Sequence, residues 1–139
     1  MKKKIDSVQK EMVIKNIRGI LKKVEPEVIS AYIFGSFVQE DKFSDIDLAL
    51  LFKTLIDKPL DFEIALEIIL EDSIGYRFDV RVLNDAPLSF CQVVFRNGKL
   101  IVDSKPNFRA DFSGNILKQY FDFSYFRQRY LREVLNAEV

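Results

Sequence analysis

The sequence predicts an α/β domain, a small mixed sheet flanked by helices with a helical extension at its C-terminal end. Runs of β-branched and aromatic residues alternate with segments of helical period along the chain. The 139 residues are 48% apolar, enough for one domain that buries roughly 70% of its unfolded surface. No repeat, low-complexity tract or linker divides them. Residues 1–139 therefore read as a single domain, a core over about 5–104 and a helical extension over about 105–139.

Residues 5–24, IDSVQKEMVIKNIRGILKKV, place Val8, Met12, Ile17, Ile20, Leu21 and Val24 at mostly helical spacing. Asp6 or Ser7 caps the start, and Pro26 lies just past the end. VISAYIFG, residues 28–35, is a strand closed by glycine, and DIDLALLF, residues 45–52, is a second whose apolar tail predicts burial on both faces. The segment from Lys58 to Asp72 carries Phe62, Leu66, Ile69 and Leu70 on one helical stripe. YRFDVRVL, residues 76–83, alternates strictly and is a third strand. A helix runs from near Pro87 to a stop at Asn97-Gly98, and KLIVD is a short fourth strand. From Pro106 onward the pattern is helical, with a break expected around Asp122.

Composition excludes several chemistries. There is no histidine, which removes histidine-based triads, imidazole bases and most zinc sites. The lone Cys91 cannot form an internal disulfide and reads as a core filler. The 21 basic and 21 acidic residues balance, so no global charge favours nucleic acid. The N-terminal MKKKIDSVQK has no apolar core of a signal peptide, and no run approaches the roughly 20 residues that span a bilayer. A cytoplasmic setting without membrane contact is the expectation.

On a strand, residues two apart share a face, so Asp45 and Asp47 project together while Ile46 and Leu48 turn away. Two such carboxylates repel, and a divalent cation held by oxygen ligands is the simplest charge to set between them. Asp79 sits mid-strand between Phe78 and Val80. If its strand lies beside the first acidic one, three carboxylates meet, the ligand count for one or two Mg²⁺ ions on a triphosphate with one acid left to assist deprotonation of a hydroxyl. Gly35 lets backbone approach a phosphate, and Ser36 offers a hydroxyl and N–H groups at a helix start.

FGSFVQEDKFSDIDLALL together with FDVRVL resembles the polymerase β-like nucleotidyltransferase superfamily, whose signature is an apolar residue, Gly-Ser, a spacer, then Asp-apolar-Asp-apolar. Here these are Phe34, Gly35, Ser36, Asp45, Ile46, Asp47 and Leu48, with Asp79 matching the third acid. The spacer between Ser36 and Asp45 is shorter than the commoner form and lacks its extra glycine, which predicts a tighter turn. The small size and the tail YFDFSYFRQRYL look like the minimal nucleotidyltransferase (MNT) group, whose members often pair with a small helical HEPN protein as antitoxin and toxin. The resemblance implies transfer of a nucleoside monophosphate, AMP from ATP, to a hydroxyl acceptor. Asp45, Asp47 and Asp79 would be the catalytic and Mg²⁺-binding acids, and Gly35 and Ser36 the nucleotide-binding pair. The implied acceptor is a tyrosine of a HEPN-type toxin. A silent antitoxin acting by binding alone, and transfer to a small molecule such as an aminoglycoside, are the alternatives; an oligomer is compatible with all three.

Plainer readings stand beside these. Asp45 and Asp47 can be a solvated strand start. Asp79 can belong to an ion cluster with Arg77 and Arg81, which share its face, or one of those arginines can touch a phosphate. Gly35 can be a strand-end glycine and Ser36 a helix N-cap. Phe121, Phe123, Tyr125, Phe126 and Tyr130, interleaved with Arg127, Arg129 and Arg132, are expected to cover the sheet and extend the core. A partner-binding surface is the functional alternative, and stacking on single-stranded nucleic acid ranks third.

Overall fold

A capping box opens the first helix: the Asp6 carboxylate accepts from Gln9 N–H (2.8 Å) and the Gln9 side chain accepts from Asp6 N–H (3.0 Å). The computed structural model describes residues 2–135. Six strands and five helices follow in the order β1 (Lys3–Lys4), α1 (Ser7–Val24), β2 (Val28–Phe34), α2 (Ser36–Gln39), β3 (Lys42–Phe43), β4 (Asp45–Phe52), α3 (Pro59–Ile74), β5 (Arg77–Val82), α4 (Leu88–Asn97), β6 (Lys99–Asp103) and α5 (Pro106–Leu135). The main sheet has the order β5-β4-β2-β6. Strands β4 and β5 are parallel and joined by the α3 crossover; the other pairs are antiparallel. This is the mixed sheet that the sequence predicts. Two-residue strands β1 and β3 pair as a separate ribbon too short for the alternation pattern to register.

The sheet is covered on both faces. One core joins Val13, Ile14, Ile17 and Leu21 of α1 and Leu66 and Leu70 of α3 to Ile46, Leu48, Leu50, Phe78, Val80 and Val82. The other sets Cys91 and Val94 of α4 with Phe108, Phe112 and Ile116 of α5 against Tyr32, Ala49 and Leu51. Burial pushes the Cys91 thiol up to about 11, and it donates weakly to Leu83 O (3.5 Å), a filler as expected. Among the described residues no helix is long and apolar enough to cross a membrane.

Three expectations are corrected. The α1 face that packs runs through Val13, Ile14, Ile17 and Leu21, whereas Val8 and Met12 are exposed. Ile69 of α3 likewise stands partly in solvent. Helix α5 passes Asp122 without a break, since aspartate weakens a helix interior but removes no backbone donor.

Strand β5 is an edge, and its outward N–H groups need partners. Glu63, Glu67 and Glu71, one per turn of α3, accept from Val82 N–H (2.8 Å), Val80 N–H (2.8 Å) and Phe78 N–H (3.4 Å). This carboxylate ladder fixes the strand that carries Asp79 and closes its edge to other strands. Glu67→Ala is expected to cost about 1–3 kcal/mol by orphaning Val80 N–H. Thermal denaturation reads this, and Glu67→Gln, which keeps the acceptor oxygen, should lose less.

Candidate active site

The turn after β2 is built around Gly35. Its φ of 77° and ψ of −154° fall where essentially only glycine is found. A second constraint is contact: a Cβ there would collide with Asp47 Oδ2 and sit 3.2 Å from Asp47 Cγ. Gly35 holds the N-cap position of α2 and Ser36 is its first helical residue, so the expected Ser36 cap is not made. Most of the eight residues between Ser36 and Asp45 belong to α2 and β3. Phe37 and Phe43 pin it from below, edge-on with centroids 4.9 Å apart. Lys10 of α1 ties it from the side, donating to Phe37 O (2.7 Å) and Glu40 O (3.0 Å). Nothing in the motif pointed to Lys10.

Register brings the predicted acids into line. Phe34 pairs with Asp47, and Asp47 lies beside Asp79. Asp47 and Asp79 are thus neighbours on adjacent strands, Gly35 lies just past the end of β2 against the Asp47 carboxylate, and Asp45 is two residues back on the same face. The condition on Asp79, a strand beside β4, is met. All three acids are half-buried. Arg81 Nε lies 3.1 Å from Asp79 Oδ1, and among the described residues it is the one basic group within ion-pair distance of that carboxylate. The Arg–Asp–Arg cluster is therefore half realised, through Arg81 and not Arg77. Among the described residues no three acids close into a tight ligand cage. Beyond Arg81, whose guanidinium lies 5.9 Å from the Phe90 ring centre, opens a cleft of about 510 Å³ floored by Leu55, Pro59, Leu60 and Pro87.

A sequence model of the family described as Polymerase beta, Nucleotidyltransferase matches residues 15–107, which span α1 to the start of α5 and include Gly35, Ser36 and the three acids. The chain belongs to this family. No curated protein matches it. Among solved structures, this nucleotidyltransferase is similar to the toxin–antitoxin MntA-HepT (TM-score 0.71, 22% identity, 91% of this chain and 99% of that one). It is also similar to a complex of tri-AMPylated Shewanella oneidensis HEPN toxin with MNT antitoxin (0.72, 23%, 91% and 99%) and to a toxin–antitoxin solved with AMP-PNP (0.73, 24%, 88% and 98%). At these identities the likeness is one of fold.

In this nucleotidyltransferase the Asp47 carboxyl is pushed up to about 6, chiefly by burial, then by the charges of Asp79 and Asp45, with Arg81 opposing. The native state therefore holds a proton that the unfolded chain releases near 3.8. The stability contributed by this group is complete below that value and lost as pH rises towards 6. Melting temperature without divalent cation is expected to fall across this window, and Asp47→Asn to flatten that part of the profile. A divalent cation, were it to bind there, would compete with the proton, and its stabilising effect should then be larger at pH 7.5 than at pH 5.

Proposed function

We propose that this chain transfers AMP from ATP to a hydroxyl acceptor, using Mg²⁺ held by Asp45, Asp47 and Asp79. Asp47 beside Asp79 on β4 and β5, with the Gly35 turn packed against the Asp47 carboxylate, carries this reading. The donor chemistry fits the ion, all carboxylate oxygens, the set hard divalent cations take, and the three would have to close in on it, since among the described residues they do not form a ligand group as they stand. Asp47, raised by burial and two like charges, is a group short of positive charge. Bound there, Mg²⁺ supplies Lewis-acid stabilisation of charge on the transferred phosphoryl group.

The chain's own residues do the rest. Gly35 and Ser36 hold the β/γ-phosphates through backbone N–H groups and the serine hydroxyl. Asp45 and Asp47 are fixed by the strand pleat, Asp47 against Gly35. The acceptor oxygen bonds to the α-phosphorus as the bond to pyrophosphate breaks, and Asp79, held by Arg81, assists loss of the acceptor proton. Core residues from about 5 to 104 carry this chemistry.

The AMPylated HEPN toxin of the structural neighbour supports AMP as the group and a HEPN-type protein as the acceptor; a tyrosine as the modified residue is what the family resemblance implies. AMP-PNP in another neighbour supports an adenine nucleotide. The chain would then be an enzymatic antitoxin of the cytoplasm, where the single buried thiol of Cys91 stays reduced. An antitoxin acting by binding alone is the second reading, favoured by the exposed aromatics of α5. Intact mass of the partner separates them. A partner that gains the mass of AMP only with Mg²⁺, ATP and intact Asp47 supports transfer; a bound partner whose mass never changes supports binding alone.

A further inference from the structure

Helix α5 starts against the body and then leaves it. Arg109 is tied to Asp103 (Nη2–Oδ2 2.9 Å), the residue of β6 that pairs with Ser30. Phe112 packs edge-on against Phe95 (6.0 Å), which packs on Tyr32 (5.5 Å). Phe121 lies 5.8 Å from the Arg96 guanidinium, two residues before Gly98, which abuts Tyr32 and Ile33. The helix therefore travels from the Ser30 end of β2 towards the Gly35 end, where Asp47 sits. From Phe121 to Leu135 it continues about 20 Å further.

The stripe that faces the body does not stop where the body does. Phe108, Phe112 and Ile116 pack into the second core. Seven-residue steps from Ile116 reach Phe123 and Tyr130, and Phe126 and Val134 fall on the same side. These four are 62%, 57%, 72% and 58% exposed. The expectation that the aromatics extend the core is thus overturned, because the sheet ends before they do. A large aromatic buries roughly 150–250 Å² when fully covered, so at these exposures the four side chains supply on the order of half of the roughly 800 Å² per partner of a standard interface.

We infer that residues 117–135 of α5 are the surface on which the acceptor protein docks, and that they hang it over the Gly35–Asp47 end of the sheet. This rests on the transfer reading above. A second copy of the chain is the poorer occupant. Arg127 lies within the stripe near its middle, and self-pairing about that point would bring two guanidiniums within about one helical turn in an apolar seam. A partner offering an apolar groove with a carboxylate at its centre meets Arg127 favourably. The toxin–antitoxin structures also match 91% of the chain, more than it offers without α5, so part of this helix is shared with proteins solved in such complexes.

The test uses the full chain and the purified HEPN-type protein of the same host. Phe123→Glu combined with Tyr130→Glu alters only exposed positions, and Arg127→Glu is a second, single-charge variant. Affinity is expected to fall on the order of 30-fold or more for each aromatic lost. Transfer should weaken through KM for the partner more than through kcat, with AMP-PNP binding retained. Hydrogen exchange of residues 117–135 should slow when the partner is added. Equal affinity and transfer in the variants, with no protection of 117–135, overturns the surface and leaves the transfer reading. Protection of 117–135 by a partner that never gains AMP keeps the surface and overturns transfer. A wild-type dimer that the variants split into monomers while transfer continues assigns the stripe to a second copy and overturns the inference.

Discussion

Asp47→Asn is expected to lower AMP transfer by about 10²–10³-fold or more, while the metal-free protein at pH 7 becomes more stable. Both effects have one cause. The carboxyl is half-buried beside Asp45 and Asp79, and its charge is held against burial and against two like charges. Asparagine keeps the shape and removes the repulsion, so the melting temperature should rise. It also removes the most strained donor of the proposed ion site, so added Mg²⁺ should stabilise the variant less than the parent. Thermal melts with and without Mg²⁺, run beside intact-mass transfer assays, read all three. A variant that melts lower than the parent without metal would show that Asp47 is there for structure, and that the acids are not poised for a cation.

Gly35→Ala should be the most damaging single methyl group in the chain. The backbone conformation alone costs about 1–3 kcal/mol in any other residue. The added methyl must also displace Asp47, whose carboxylate occupies that space. Misplacing a reacting group by about 1 Å costs on the order of 10²-fold in rate, so transfer should fall even where the protein remains folded. Gly19→Ala and Gly114→Ala are the controls. Both glycines lie within helices with nothing within 4 Å of an added Cβ, and alanine there should stabilise by about 0.4–1 kcal/mol. A Gly35 variant indistinguishable from these controls would remove the coupling between the turn and the acid.

Much of the molecule is written locally. Period-two and helical patterns, with glycine and proline as punctuation, are backbone sterics acting over a few residues, and they place every helix and all four strands of the main sheet. The same strand period puts Asp45 and Asp47 on one face, and the Gly-Ser turn is legible because few residues tolerate what Gly35 does. That Asp79 shares a face with its arginines is local too. Its meeting with Asp47 is not, because strand order is a property of the packed sheet.

The remainder depended on what lay opposite. Helix α1 has two apolar faces in sequence, and only the position of the sheet selects Val13 and Ile14 over Val8 and Met12. The glutamates of α3 carry no role until β5 presents unpaired N–H groups to them. Strands β1 and β3 are too short to leave a pattern and exist because they meet each other. The aromatics beyond Ile116 look like core by composition, but a side chain is buried only where another element arrives to cover it, and the sheet ends first. By itself the sequence determined the helices, the four strands of the main sheet, the candidate acids and the glycine turn before them, since these follow from local geometry. The tertiary structure alone decided which acids meet, which glutamates seal the edge and which aromatics stay outside, since contact between distant segments is settled only by packing.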